Sequence, residues 1–337
     1  MAESFRRLIE MSAAVALLST SSLGCSDQGS SFEDKGGGAD GGACVPEPDA
    51  PVETCTPAAG NEVCHEFYAN DNGRHRINYV NEFEPSKGWQ VTLPCLLANC
   101  PRQVGIVDSP NAACGKALLV SVPDGYQEHD LKTGELLAHV QTQPPVTGAV
   151  RLKNGNTAVV NSSQLIVVTP DGSQVSSCKL PGSGELRVLV HDDDDLYWFG
   201  RMLDLYAIND SCQEQWHATL LGGEKAYRVF PDPTGKYVYA TSGATAKVHK
   251  YDRKANPPTI VGDVGGKENF PDLNLDFFSG FFLEENDDIV AANWLGHLAN
   301  PAQDTVHLVE FTPANEVVWK WGNQDLARQI TNVWIVR

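Results

Sequence analysis

Residues 276–323, DFFSGFFLEENDDIVAANWLGHLANPAQDTVHLVEFTPANEVVWKWGN, decide the fold. They read as four short strands: Phe277 to Leu283, Ile289 to Trp294, Thr305 to Thr312, and Glu316 to Trp321. Two polar turns, Glu284 to Asp288 and Pro313-Ala314-Asn315, and a loop from Leu295 to Asp304 separate them. Short β-rich runs broken by Asn, Asp, Gly and Pro are the mark of antiparallel hairpins. In the last strand Val317, Trp319 and Trp321 fall on one face and Lys320 on the other, because side chains alternate along a strand.

The same unit recurs upstream. Its first turn appears at Asn111 to Gly115, Asn154-Gly155, Asp192 to Asp195, and Asp232 to Gly235. The markers Gly115, Gly155, Asp195 and Gly235 stand 40 residues apart each time, and each is followed by a strand: Lys116 to Val122, Asn156 to Asn161, Leu196 to Gly200, and Lys236 to Thr241. A four-stranded unit of this period is a β-propeller blade. Asp288 follows Gly235 by 53 residues, and Gly262 to Leu275 reads as the inserted loop that accounts for the excess. A sixth unit is split. Glu66 to Asn70, Arg76 to Glu84 and Trp89 to Leu93 supply its second, third and fourth strands, and the C-terminal Gln329 to Arg337 its first. Such a closure leaves no unpaired sheet edge. The expectation is an all-β, six-bladed propeller over residues 61–337 with Ile330 to Val336 beside Glu66 to Asn70; seven blades is the alternative.

With 42% hydrophobic residues in 337, the chain can build one large core. A net charge of −18 weighs against nucleic acid as a partner, since such a surface repels phosphate. Arg6 and Arg7, the apolar Met11 to Leu18 and Ser22-Leu23-Gly24-Cys25 resemble a bacterial lipoprotein signal. That resemblance implies residues 1–25 as signal, lipidation at Cys25, and, with Ser26 next, an outer-membrane address. Ordinary cleavage, with Cys25 as one more disulfide partner, is the other reading. Residues 26–60, rich in Gly, Ser and Pro, read as a tether.

Eight further cysteines, Cys44, Cys55, Cys64, Cys95, Cys100, Cys114, Cys178 and Cys212, form an even set, which in an exported chain points to disulfides. Six lie before residue 115, around the split blade. Cys178 and Cys212, in adjacent blades, are then the remaining pair. No Cys-x-x-Cys occurs and no His stands at a metal spacing from a second ligand, so no metal and no cofactor are expected.

Leu152-Lys153-Asn154-Gly155-Asn156-Thr157, Val168 to Gly172 and Phe311 to Trp319 resemble the repeats of quinoprotein-like (PQQ-like) propellers. Phe230-Pro231-Asp232-Pro233-Thr234-Gly235-Lys236-Tyr237-Val238-Tyr239 resembles the YVTN-type repeat. The resemblance spans roughly residues 64–337 and implies the fold, with dehydrogenases, sulfotransferases and binding modules all among its users. Two departures weigh against the enzymes. The positions matching the channel histidines of the sulfotransferases, Thr147-Gly148, Gly184-Glu185, Ala226-Tyr227 and Phe278-Ser279, carry no His, and there is no vicinal cysteine pair.

In propellers the loops between second and third strands share a face with the inter-blade connections, over the channel mouth. That rule nominates Arg74, His75, Asn161, Arg201, Tyr227, Asn293, Trp294 and His297 as a ligand rim. Arg forks onto carboxylates and Trp stacks on apolar faces, which suits a carbohydrate, peptide or small anion. The bland readings are core for Trp294, turn chemistry for Asn161 and plain loop for His297. Asp192 to Asp195 reads as a solvated turn rather than a calcium loop, having no spaced ligands around a Gly. No nucleophile elbow, P-loop or dinucleotide fingerprint occurs. The reading is therefore a monomeric, lipid-anchored binding or scaffold module for an extracellular protein, carbohydrate or small molecule. The alternative is a lyase, hydrolase or transferase using Arg201, His297 and Tyr227.

Overall fold

The computed structural model describes residues 55–95, 102–143, 145–220, 225–298 and 305–337. The signal segment, Cys25, Cys44 and Cys100 lie outside them. Within the described residues twenty-four strands form six four-stranded antiparallel sheets. Blade 1 holds β1 (Glu66–Asp71), β2 (Arg76–Asn81) and β3 (Trp89–Thr92). Blade 2 holds β4 (Val104–Asp108), β5 (Lys116–Val122), β6 (Gly125–His129) and β7 (Leu136–Gln141). Blade 3 holds β8 (Gly148–Arg151), β9 (Thr157–Val160), β10 (Gln164–Val168) and β11 (Gln174–Lys179). Blade 4 holds β12 (Val190–His191), β13 (Tyr197–Arg201), β14 (Asp204–Ile208) and β15 (Glu214–Thr219). Blade 5 holds β16 (Val229–Pro231), β17 (Tyr237–Ser242), β18 (Lys247–Asp252) and β19 (Thr259–Gly265). Blade 6 holds β20 (Phe278–Leu283), β21 (Ile289–Asn293), β22 (Leu308–Phe311) and β23 (Val317–Trp321). The last strand, β24 (Ile330–Ile335), returns to blade 1 as its inner strand, in the order β24-β1-β2-β3.

The closure is in register, with Phe67 opposite Ile335, Tyr68 opposite Trp334 and Ala69 opposite Val333. β24 also packs on β20 and β4, so the ends of the chain bring blades 6, 1 and 2 together. Gly280 permits that approach: a Cβ there would stand 2.7 Å from the Thr331 carbonyl oxygen. Ahead of β1, Glu62 N–H donates to the Val318 carbonyl, and Asn61 exchanges hydrogen bonds with the backbone of Lys320. The lead-in thus covers the outer edge of blade 6, an edge otherwise open to unwanted pairing.

Six apolar clusters match the six blade interfaces. This is the packing expected of units that cannot bury both faces alone. Trp319 and Trp321 are buried between blades 6 and 1 while Lys320 is exposed, as the alternation predicts, but Val317 packs in the cluster between blades 5 and 6, because the register shifts at Glu310/Phe311 and turns it to the other face.

The ring closes with six blades, as the main expectation had it. Two other expectations need correction. Gly262 to Gly265 is the end of β19 rather than loop; the insertion begins after it and holds a single 3-10 turn, Pro271–Leu273. Cys114, assigned to a bridge by the even count, is a free thiol in the turn before β5, its Sγ 3.5 Å from the Lys116 carbonyl oxygen. The bridges Cys55–Cys64 and Cys178–Cys212 form, and Cys95 is also disulfide-bonded. Cys178–Cys212 ties the outer strand of blade 3 to a turn of blade 4, with Cα atoms 5.8 Å apart.

Candidate functional site

One local device aims the inner strands. A residue in the last two positions of the second strand of a blade holds the two backbone N–H groups that lead into the first. Asp71 accepts from Arg328 and Gln329, Thr241 Oγ1 from Tyr227 and Arg228, and Asn293 Oδ1 from Asp276 and Phe277. In blade 4 the same position is Arg201. Its guanidinium donates to the carbonyls of Gly184, Pro181 and Ser162, and so ties the blade 3 and blade 4 loops together.

This repetition places whatever precedes each inner strand at one end of the channel, and four arginines stand there: Arg328, exposed, before β24, and Arg102 before β4, Arg187 before β12 and Arg228 before β16, all three partly or fully buried. Arg102 and Arg187 share the carboxylate of Glu185. Arg187 also lies 3.6 Å over the ring of Tyr227, whose hydroxyl donates to Glu185 at 3.3 Å. A pocket of about 460 Å³ lies against Thr147, Ser162 and Glu185 at this mouth. Burial lowers the Arg187 pKa to about 10, partly offset by Tyr227, and burial with Arg187 as neighbour does the same for Arg102.

Arg228 differs. It is 5% exposed, and Asn332 Oδ1, at 2.6 Å, accepts from its Nη1. Among the described residues its Nε has no hydrogen-bond partner, nor does the Nδ2 of Asn332. Phe230 and Phe281 lie under the guanidinium at 5.8 and 5.5 Å. No carboxylate among the described residues offsets the burial, which lowers its pKa to about 10. Desolvating a cation without a counter-charge costs several kcal/mol in effect. A cavity of about 340 Å³ runs from the turns at Asp108/Lys116 and Leu152/Lys153 down to Gln103 and Arg228. Ile106, Val150, Phe230 and Trp334 wall it. Gly105 makes room for the indole of Trp334, since a Cβ there would meet that ring at 3.2 Å. Gln103 braces the wall, its Oε1 accepting from Ala149 and Leu189 N–H and its Nε2 donating to Leu189.

None of the eight rim residues read from the sequence lines this cavity. Three meet at the opposite mouth. Tyr227 contacts Phe277 at 5.6 Å, and Phe277 contacts Trp294 and His297 at 5.9 and 5.8 Å. His297 is exposed, and its Nδ1 lies 3.2 Å from Asp276 Oδ1. The other five stand elsewhere. Arg201 and Asn293 are buried in the strand-start device. Asn161 closes its own turn, accepting from Ser163 and Gln164 N–H. Arg74 reaches the carbonyls of Gln324 and Asp325, and His75 sits exposed in the same turn at φ 55°. Asp192 to Asp195 is a turn: Asp192 accepts from Asp194 and Leu196 N–H and from the Trp198 indole, and Arg253 and Lys153 neutralise the run.

A second polar cluster escaped the sequence reading. His65, Glu284 and Glu310 hold donor atoms within 4.8 Å of one another, a set that suits a divalent cation or a shared proton. His65 Nε2 lies 2.8 Å from Glu310, and its Nδ1 3.2 Å from the Arg337 carbonyl. Burial opposes the His65 imidazolium, but the hydrogen bond to Glu310 and the charges of Glu310 and Glu284 outweigh it and raise the pKa. Burial, then Glu310, raises Glu284 to about 7. Only ring closure brings His65 to partners 219 and 245 positions away, so no local spacing marked it.

No protein-family model matches the chain, and no curated protein matches it. Solved structures do. A Bacteroides caccae protein of unknown function is similar over 82% of this chain and 100% of its own, at 17% identity and a TM-score of 0.63. A streptogramin B lyase is similar over 82% of this chain and 91% of its own, at 11% identity and a TM-score of 0.52. At such identities the likeness is one of β-propeller fold.

Proposed function

We propose that the protein is an exported, lipid-anchored binding module whose axial channel takes a small ligand. The observation that carries this reading is the pairing of an apolar, aromatic-walled cavity with polar groups at its floor whose hydrogen-bonding capacity is unfilled. Ligand sites are concave and mostly apolar with a few placed polar groups. Disulfides accord with an oxidising compartment, and the segment ending at Cys25 supplies the anchor. The test is a thermal-shift screen of the full chain against sugars, peptides and organic acids. Hits that lose their effect in Trp334→Ala, with that variant still folded, support the channel. Hits indifferent to Trp334 would place binding elsewhere. Fatty-acid labelling of the chain, abolished by Cys25→Ser, tests the anchor.

A catalytic reading rests on His297, an exposed imidazole oriented by Asp276 beside Trp294. A base oriented by a carboxylate is a general-base arrangement. Turnover of an aryl ester, sulfate or lactone that vanishes in His297→Ala would favour it.

A further inference from the structure

We infer that the channel ligand is a small organic monoanion, a carboxylate joined to a flat apolar body, with its charged end on Arg228. This inference rests on the channel reading above and names the class of ligand.

The floor sets the charge. Among the described residues Arg228 has donors to spare, no acidic partner, and one neutral amide to hold it. Its neighbours Phe230 and Phe281 exclude water without neutralising it. The side chain is not a packing accident. Thr241 Oγ1 fixes its backbone N–H, and Asn332 reaches it from β24, 104 positions further along the chain. Guanidinium forks match carboxylates bidentately, and a charge-assisted pair in a dry site is among the stronger contacts available.

The walls set the body. Trp334 and Phe230 are both only partly buried and both face the cavity, with Ile106 and Val150 between blades. Flat apolar groups stack on such rings. A cavity of about 340 Å³ admits one or two fused rings, not a polymer. The rim sets the limit on charge. Lys116 and Lys153 stand at the entrance but are paired with Asp108 and Asp193, at 2.6 and 2.9 Å. A chain of net charge −18 opposes polyanions at long range. One negative charge, delivered to one buried cation, is the combination that remains.

The test uses the full chain and a matched trio: 2-naphthoate, naphthalene-2-sulfonate and the neutral 2-naphthamide, titrated by calorimetry. The expected result is that 2-naphthoate binds at least about 10-fold more tightly than the amide, as one charged hydrogen-bonding pair implies. Arg228→Met then removes that preference and leaves the weak affinity for the amide. The sulfonate arm separates carboxylate from general oxyanion recognition: equal affinity for both acids would overturn the carboxylate assignment. Arg228→Met is also expected to melt higher than the parent, because replacing an uncompensated buried charge by an apolar chain of similar length relieves its desolvation. A lower melting temperature would mark Arg228 as structural and contradict the inference. Trp334-dependent hits that are neutral and indifferent to Arg228 would remove the anion class while leaving a channel ligand intact. Absence of any Trp334-dependent hit would remove both.

Discussion

Arg201 and Arg228 are alike in burial and opposite in what they touch. The first is saturated by carbonyl oxygens 17, 20 and 39 positions away in sequence. The second has one amide partner. Removing a buried donor strands its acceptors, so Arg201→Ala should destabilise the fold by about 2–4 kcal/mol. Urea unfolding checks this; a change below about 0.5 kcal/mol would mean that the carbonyls find water instead. A sequence cannot separate the two arginines, because both lie beside inner strands and their partners are backbone atoms or distant side chains. The aromatic trio Tyr227, Trp294 and His297 was legible, because loop positions repeat with the blades. The cavity floor was not, because Arg228 acquires its environment from β16, β20 and β24 together.

At the scale of elements, the seam between blade 6 and the lead-in to β1 carries a titrating latch. His65 and Glu284 both have folded pKa values above their unfolded ones, His65 through its hydrogen bond to Glu310 and the charges of Glu310 and Glu284, which outweigh burial, and Glu284 through burial and the charge of Glu310. A group of that kind stabilises the fold at low pH and loses its contribution as pH rises through its folded value. For Glu284 the loss centres near pH 7. His129, His191 and His307 are shifted the other way by burial, His307 to about 4, and penalise the fold as pH falls below their unfolded value. Between pH 8 and 6.5 the latch should therefore dominate, and stability should rise on acidification. Glu284→Gln should flatten that slope and be more stable than the parent at pH 8, by about 1–3 kcal/mol. Thermal melts of both proteins across this range decide it; parallel pH profiles would show that Glu284 is ionised without cost. Strand order within each blade was readable from turns and alternation, whereas the limits of β19 were not, since Gly262 and Gly265 look like loop yet pair with Lys250 and Lys247.

Across the whole molecule, repetition made the architecture legible and long-range closure gave it its chemistry. Each interface is one apolar cluster, so no blade is stable by itself, and unfolding should be cooperative. Cys178–Cys212 reinforces one such interface across 34 residues of chain. Replacing both cysteines by Ser should cost about 2–4 kcal/mol without loss of cooperativity, as read by calorimetry. A split transition would mean that blades 3 and 4 part independently. Inner strand β24 carries the heaviest duty: it completes blade 1, contributes Asn332 and Trp334 to the channel, and seals blade 6 to blade 2. Hydrogen–deuterium exchange across residues 330–335 and 66–71 tests this most directly. If the ring is closed as described, both segments exchange together and only through global unfolding. Exchange of residues 330–335 within seconds, while 66–71 stay protected, would contradict it.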